Sequence, residues 1–201
     1  MARIAPAEPP YAPRVAERLR TMMPDDQAPP IALFRTVVRN LPMADAMGAW
    51  GGYELSRRLS LTFRDREIVI DRTTARCGCE YEWGVHVAVF AAKADLTPAQ
   101  ITSLAHGTAT DACWTGYRDR LLVEAVDELH DGGTIDDGLW ARLSDVLTTE
   151  QLLDLPMLCG WYHAISFTAN AAGIENEPFA PTFADYLRAS SDSSKDERYR
   201  P

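Results

Sequence analysis

Positive charge, long apolar runs, cysteine and strand-like alternation are all scarce in this 201-residue chain. Each shortage removes a class of function. Lys and Arg number 20 against 29 Asp and Glu, which leaves a formal net charge of -9. No basic cluster offers a footprint for phosphate, so nucleic acid is not an expected partner. No stretch of about eighteen residues is free of charge, and the first ten residues lack the apolar centre of a secretory signal. The chain is therefore expected to be soluble and cytoplasmic, without membrane contact. Its 4 cysteines are too few for a disulfide scaffold. Cys113 and Cys159 lie in apolar surroundings and read as core residues. With 46% apolar residues the chain can bury one good core.

What is present is helical periodicity. Residues 1–30 form a proline-rich extension, irregular at 1–12 and 24–30, with room for a short helix from Ala12 to Met23. From Ile31 to Asn40 the apolar residues recur at helical spacing and stop before Pro42, and a second helix is expected over about Met43 to Leu59. Further helix starts are marked by side chains able to accept from free first-turn amides. These are Thr62, Thr97 with Pro98 and Gln100 behind it, Thr134, and Thr148 or Thr149. Gly132 and Gly133 separate a helix over Tyr117–His130 from one over Ile135–Leu147. These signals outline an all-α bundle of about eight helices over 31–176. The polar tail 177–201 is expected to be flexible or captured by a partner.

Nearly all plausible chemistry falls between Glu67 and His86. Cys79, Glu82 and His86 stand at i, i+3 and i+7, within roughly 60° of one another on a helix. A thiol, a carboxylate and an imidazole thus share one stripe. Gly78 is expected to break the helix ahead of it. Antiparallel packing across that break would fold Glu67 back over the stripe. A Glu–His pair in a partly apolar surround, supplied here by Tyr81, Trp83, Val85 and Val87, suits general acid–base catalysis. The bland alternative pairs Glu67 with Arg64 or Arg72, turns Glu82 to water and leaves His86 as a core histidine.

Cys77 and Cys79 would point apart on a continuous helix, so thiol redox chemistry needs the break. Cys-x-x-Cys spacing would want a thiol at position 82, which is glutamate. A metal on Cys79, Glu82 and His86 has suitable residue types but no strong motif, and neither metal nor cofactor is expected. His163 could line the same pocket, whereas His106 and His130 read as surface residues.

The segments Arg66-Glu67-Ile68-Val69-Ile70 and Cys79-Glu80-Tyr81-Glu82-Trp83-Gly84-Val85-His86 resemble the carboxymuconolactone decarboxylase and alkyl hydroperoxidase D superfamily. The resemblance extends through Leu96-Thr97-Pro98 to Gly160-Trp161-Tyr162-His163 and Gly173-Ile174. It implies an all-helical bundle that assembles as a homo-oligomer, a trimer, hexamer or dimer, and acts on a small-molecule substrate. By position Glu67 matches the relay glutamate, Cys79 the first cysteine and His86 the relay histidine. Glu82 stands where hydroperoxidase members carry the peroxide-attacking cysteine. Decarboxylase members keep a glutamate four residues before the histidine, as Glu82 and His86 do. The resemblance therefore favours a carboxymuconolactone decarboxylase-like acid–base enzyme, with Glu67, Cys79, Glu82 and His86 as catalytic residues and Tyr81, Trp83 and His163 lining the substrate pocket. Thiol-dependent peroxidase activity and a non-catalytic ligand-binding or assembly module are the alternatives.

Overall fold

In the computed structural model, residues 2–23 and 28–187 are described. Among them no strand occurs, and nine helices are complete: α1 (Pro13–Met22), α2 (Ala32–Val37), α3 (Leu41–Glu54), α4 (Phe63–Arg76), α5 (Glu80–Phe90), α6 (Pro98–His106), α7 (Tyr117–Gly132), α8 (Asp137–Ser144) and α9 (Thr149–Ala172). A further helical stretch covers 183–187. No helix of the described residues is long and apolar enough to cross a membrane.

The cap signals hold at three starts. Thr62, Thr97 and Thr148 each accept from the third amide of their helix, and Asp65, Gln100 and Gln151 return the bond. The start expected at Thr134 instead uses Asp136, whose carboxylate accepts from Leu139 N at 2.7 Å. Asp136 outcompetes threonine because its ionised oxygen is the stronger acceptor. The helix expected over Ile31–Asn40 is cut to α2, and α3 begins at Leu41 with Pro42 inside its first turn. Proline there sacrifices no intrahelical bond, so Pro42 opens a helix rather than following the end of one.

The core is organised around α4, which packs against α5, α6, α7 and α9. Every residue from Asp65 to Thr74 is buried. Five of those ten are charged, and four of the five are paired. Asp65 accepts both nitrogens of Arg118 at 3.0 and 2.8 Å. Arg72 clamps Asp127 at 2.7 and 2.8 Å and donates to the carbonyls of Leu104 and Gly107 at the end of α6. Arg66 donates to Glu67 at 2.7 Å. Asp71 alone has no hydrogen-bond partner on either oxygen.

The chain after α9 continues onto α5. Tyr81 donates to Glu177, which also accepts from Ala32 N, and Glu80 accepts from Asn176 and from Phe183 N. Phe183 and Tyr186 pack on the ring of Trp83. Gly84 makes this approach possible, because a Cβ there would lie 2.5 Å from the carbonyl oxygen of Pro181. Residues 177–187, the start of the tail expected to be flexible or partner-captured, therefore lie against the bundle. Residues 188–201 of that tail lie outside the described residues.

Candidate active site

The break expected at Gly78 is present. Cys77 caps α4, Gly78 takes a left-handed φ of 60°, and α5 starts at Glu80 with Cys79 as its N-cap. Glycine adopts that backbone without the clash a Cβ would bring. The turn reverses the chain so that α4 and α5 pack together, and residues nineteen apart meet. His86 Nδ1 lies 2.8 Å from Glu67 Oε2. On the other side of the ring, Nε2 lies 3.6 Å from Glu82 Oε1 and 3.1 Å from the hydroxyl of Tyr162 on α9.

Charge in this interior is unevenly matched. Glu67 carries Arg66 on its second oxygen as well as His86 on its first. Arg64 and Arg72 are committed to Asp119 and Asp127, so the pairings the bland alternative assigned to Glu67 do not form. Glu82 is buried at 7% exposure rather than facing water, and its Oε2 has no partner. Burial works against a charged His86, but Glu67 first and then Glu82 outweigh it and lift the imidazole to about 10. The ring is therefore an imidazolium at neutral pH, donating from Nδ1 to Glu67.

Asp71 shares this cluster. It sits one turn after Glu67 on α4, and a carboxylate oxygen of each lies within 4.8 Å of a ring nitrogen of His86. Burial, and then Glu67, push its carboxyl well above the ordinary range, while His86 opposes them. Glu54 on α3 is raised too, chiefly by burial, and donates nothing while accepting from Trp50 at 2.7 Å. The site thus combines one held cation with an acid, Asp71, pushed toward its neutral form.

Cys79 is fully buried, and burial pushes its thiol up to about 11; the thiol of Cys77 is raised by burial as well. Both cysteines are free. Neither carries the thiolate that attack on a peroxide requires.

The structure brings Glu67, Glu82 and His86 together and keeps Cys79 at the start of the same helix. It takes the three expected pocket residues elsewhere. Tyr81 accepts from Leu33 N and donates to Glu177, and Trp83 packs under Phe183 and Tyr186. His163 lies beside His130, which is half-buried rather than on the open surface. Tyr162 takes the position assigned to His163. Its signal was the buried stripe Leu155, Leu158, Tyr162, Ile165, Ala169, at helical spacing along α9, from which His163 is turned away by about 100°. Asp71 had the same kind of signal, standing four residues after Glu67 on the same face.

Two surface hollows lie away from this cluster. One, of about 450 Å³, sits between α1 and α3, and the other, of about 190 Å³, lies beneath the N-terminal segment beside α2. Neither is lined by a member of the cluster. At 4% exposure for His86, the site is closed.

The bundle that carries this turn-linked acid–imidazole pair has an all-helical fold of the alkyl hydroperoxidase D-like type. The carboxymuconolactone decarboxylase family model matches residues 42–125, which run from α3 into α7. Solved structures agree with this. A peroxidase-related protein with an alkylhydroperoxidase core from Ralstonia eutropha JMP134 is 16% identical, with a TM-score of 0.71 over 87% of this chain and 93% of its own. A peroxidase-related protein from Silicibacter sp. TM1040 is 13% identical, with a TM-score of 0.75 over 89% and 93%. The debrominase Bmp8, solved in complex with 2,3,4-tribromopyrrole, is 12% identical, with a TM-score of 0.72 over 92% and 96%. No curated protein matches the chain significantly. The chain is thus similar to the carboxymuconolactone decarboxylase family over residues 42–125 and shares its fold with alkylhydroperoxidase-like structures.

Proposed function

We propose that the chain is a carboxymuconolactone decarboxylase-like acid–base enzyme that acts, without a cofactor, on a small carboxylated or lactone substrate. The observation that carries this reading is the buried imidazole of His86 held between Glu67 at 2.8 Å and Glu82 at 3.6 Å. A held imidazolium attracts a substrate carboxylate and supplies a proton at Nε2. When CO2 leaves, the electrons of the broken carbon–carbon bond stay behind as a carbanion or dienolate. Nε2 gives its proton to that carbon, and the neutral ring takes another from solvent by way of Glu82. A pKa of about 10 suits donation to so basic a carbon better than proton abstraction at neutral pH. Glu67 holds Nδ1–H throughout. The Tyr162 hydroxyl, accepting from Nε2 in the closed site, occupies the place of a substrate oxygen. Entry needs an opening beside Glu82.

Thiol-dependent peroxidase activity has less support, because Cys79 is buried as a neutral thiol and position 82 offers a carboxylate. The test is a panel of lactone acids and enolisable keto acids in D2O, read by CO2 release and by deuterium in the product. Wild-type turnover that falls by about 10²–10⁴-fold in His86→Gln and survives in Cys79→Ala supports the proposal. The reverse pattern, or sulfenate forming at Cys79 with hydroperoxide, overturns it in favour of thiol chemistry. Ligand binding without turnover, unchanged in His86→Gln, overturns it in favour of a binding module.

The enzyme acts as a homo-oligomer through α9. Leu153, Met157 and Phe167 are 65%, 51% and 60% exposed. With Gly160 and Ala164 between them they form an apolar seam at alternating spacings of four and three, the pattern of helices that pair. Light scattering should show a multimer that Met157→Glu or Phe167→Glu dissociates.

A further inference from the structure

Cys77, His130 and His163 form a second cluster that the proposed chemistry does not use. Cys77 ends α4, His130 stands in the last turn of α7 and His163 lies midway along α9. His130 Nδ1 is 2.9 Å from His163 Nε2 and 4.0 Å from the sulfur of Cys77. All three donor atoms lie within 4.8 Å of one another, and all three residues are half-buried.

The proton on His163 is fixed by its other nitrogen. Nδ1 is 2.8 Å from the carbonyl oxygen of Cys159, which can only accept, so Nδ1 carries hydrogen and Nε2 presents a lone pair to the cluster. The Phe167 ring stands edge-on to the same imidazole, at 5.7 Å between centroids. Cys77 is held as well, since Asn170 donates to its carbonyl at 3.0 Å. Ligand orientation by outer partners of this kind is the usual support of a metal site.

We propose that Cys77, His130 and His163 bind a divalent transition metal of the zinc class, with a solvent-facing fourth position. In a tetrahedral zinc site, nitrogens stand about 3.3 Å apart and nitrogen and sulfur about 3.6 Å apart, as bond lengths of about 2.0–2.1 and 2.3 Å require. The 2.9 and 4.0 Å separations reach those values by shifts of less than half an ångström. One thiolate and two imidazoles are borderline ligands that favour zinc over hard cations such as magnesium or calcium. On binding, the Cys77 thiol releases its proton to solvent as the sulfur–metal bond forms, the hydrogen that His130 Nδ1 shares with His163 moves by way of solvent to His130 Nε2, and the metal keeps its oxidation state. Arg76, the nearest cation, is already engaged by Asp127 and Asp131. The metal would tie the ends of α4, α7 and α9 together at half-exposed positions, apart from the closed His86 site.

Titration of the full-length chain with Co2+, followed by displacement with Zn2+, tests this. One equivalent of cobalt should give tetrahedral visible bands and a sulfur-to-metal absorption in the near ultraviolet. Cys77→Ser should abolish that absorption, and both Cys77→Ser and His163→Ala should weaken binding by about a thousandfold, beyond the 10–100-fold range of outer-shell losses. His163→Gln replaces the alanine variant if circular dichroism shows lost helicity. Excess Zn2+ should raise the melting temperature of the wild type and leave that of Cys77→Ser unmoved. Cobalt bound without the sulfur absorption, an absorption that survives Cys77→Ser, or binding lost in His86→Gln instead overturns the proposal. The last result would place the metal in the cluster of Glu67, Asp71 and His86.

Discussion

Two histidine clusters in one bundle show opposite electrostatics. His86, fully enclosed, is lifted to about 10 because Glu67 and Glu82 flank its ring. His130 is lowered, first by burial and then by the nearby Arg76 and His163, which outweigh Asp131 and Asp127. The deeper imidazole is the charged one. Depth alone would have given the reverse, so the neighbours decide the state: two carboxylates hold a proton on His86, whereas His130 faces a second imidazole and a guanidinium. The first arrangement suits donation of a proton, the second ligation of a metal.

The strongest way to break this contrast is to remove the inner ring. His86→Gln should cost about 10²–10⁴-fold in turnover, whereas His163→Ala, on the outer cluster, should leave turnover within about twofold of the wild type, as measured by CO2 release. Glu67→Gln comes next. It strands His86 and Arg66 without their shared carboxylate and should destabilise the fold by about 3 kcal/mol in urea unfolding. The same variant should return the His86 titration, followed by nitrogen-15 NMR, toward the ordinary imidazole range.

A third measurement uses pH. A group whose folded pKa is raised binds more protons folded than unfolded, so its stabilisation is complete below the unfolded value and fades as pH climbs through the folded one. For His86 that window runs from about 6.5 to about 10, and stability should fall across it in the wild type and stay flatter in His86→Gln. His130 has the opposite sign: its contribution is present above about 6.5 and is lost as pH falls through its lowered value. His130→Gln should therefore flatten the acid side of the profile only. The smallest effect is at Asp71. Its unpartnered, buried carboxyl disfavours the folded state once it must ionise, so Asp71→Asn should stabilise the protein at pH 8 by about 1 kcal/mol and have little effect near pH 4.

Much of the fold could be read from local chemistry. Thr62, Thr97 and Thr148 announce their helices because a cap is a bond within four residues, and Gly78 announces the reversal because only glycine sits easily at its φ. The meeting of Glu67, Glu82 and His86 followed from that reversal. Other features depended on contacts between distant segments. Nothing near Tyr81 or Trp83 reveals that residues from Glu177 to Tyr186 come back to cover them, so both looked like pocket walls. His163 faces His130, and its neighbour Tyr162 is the residue that reaches His86. An aromatic tyrosine on a buried stripe is quieter than a histidine, yet the stripe and not the residue type decides which side chain reaches the ring. The cluster of Cys77, His130 and His163 joins three helices at separations of 53 and 33 residues, which no local pattern encodes.

The close seat of Pro181 on Gly84 gives the segment from Glu177 to Tyr186 the character of a strap buckled over the helix that carries His86. The match to the family model ends at residue 125, well short of that strap. A chain ended before Glu177 would therefore bare the Trp83 indole and loosen the footing of the imidazole from behind, while Glu67, Glu82 and Tyr162 stay in place around it. Variation in the sequence from 177 to 186 becomes a dial on the acid–base centre, turned from the far side of α5.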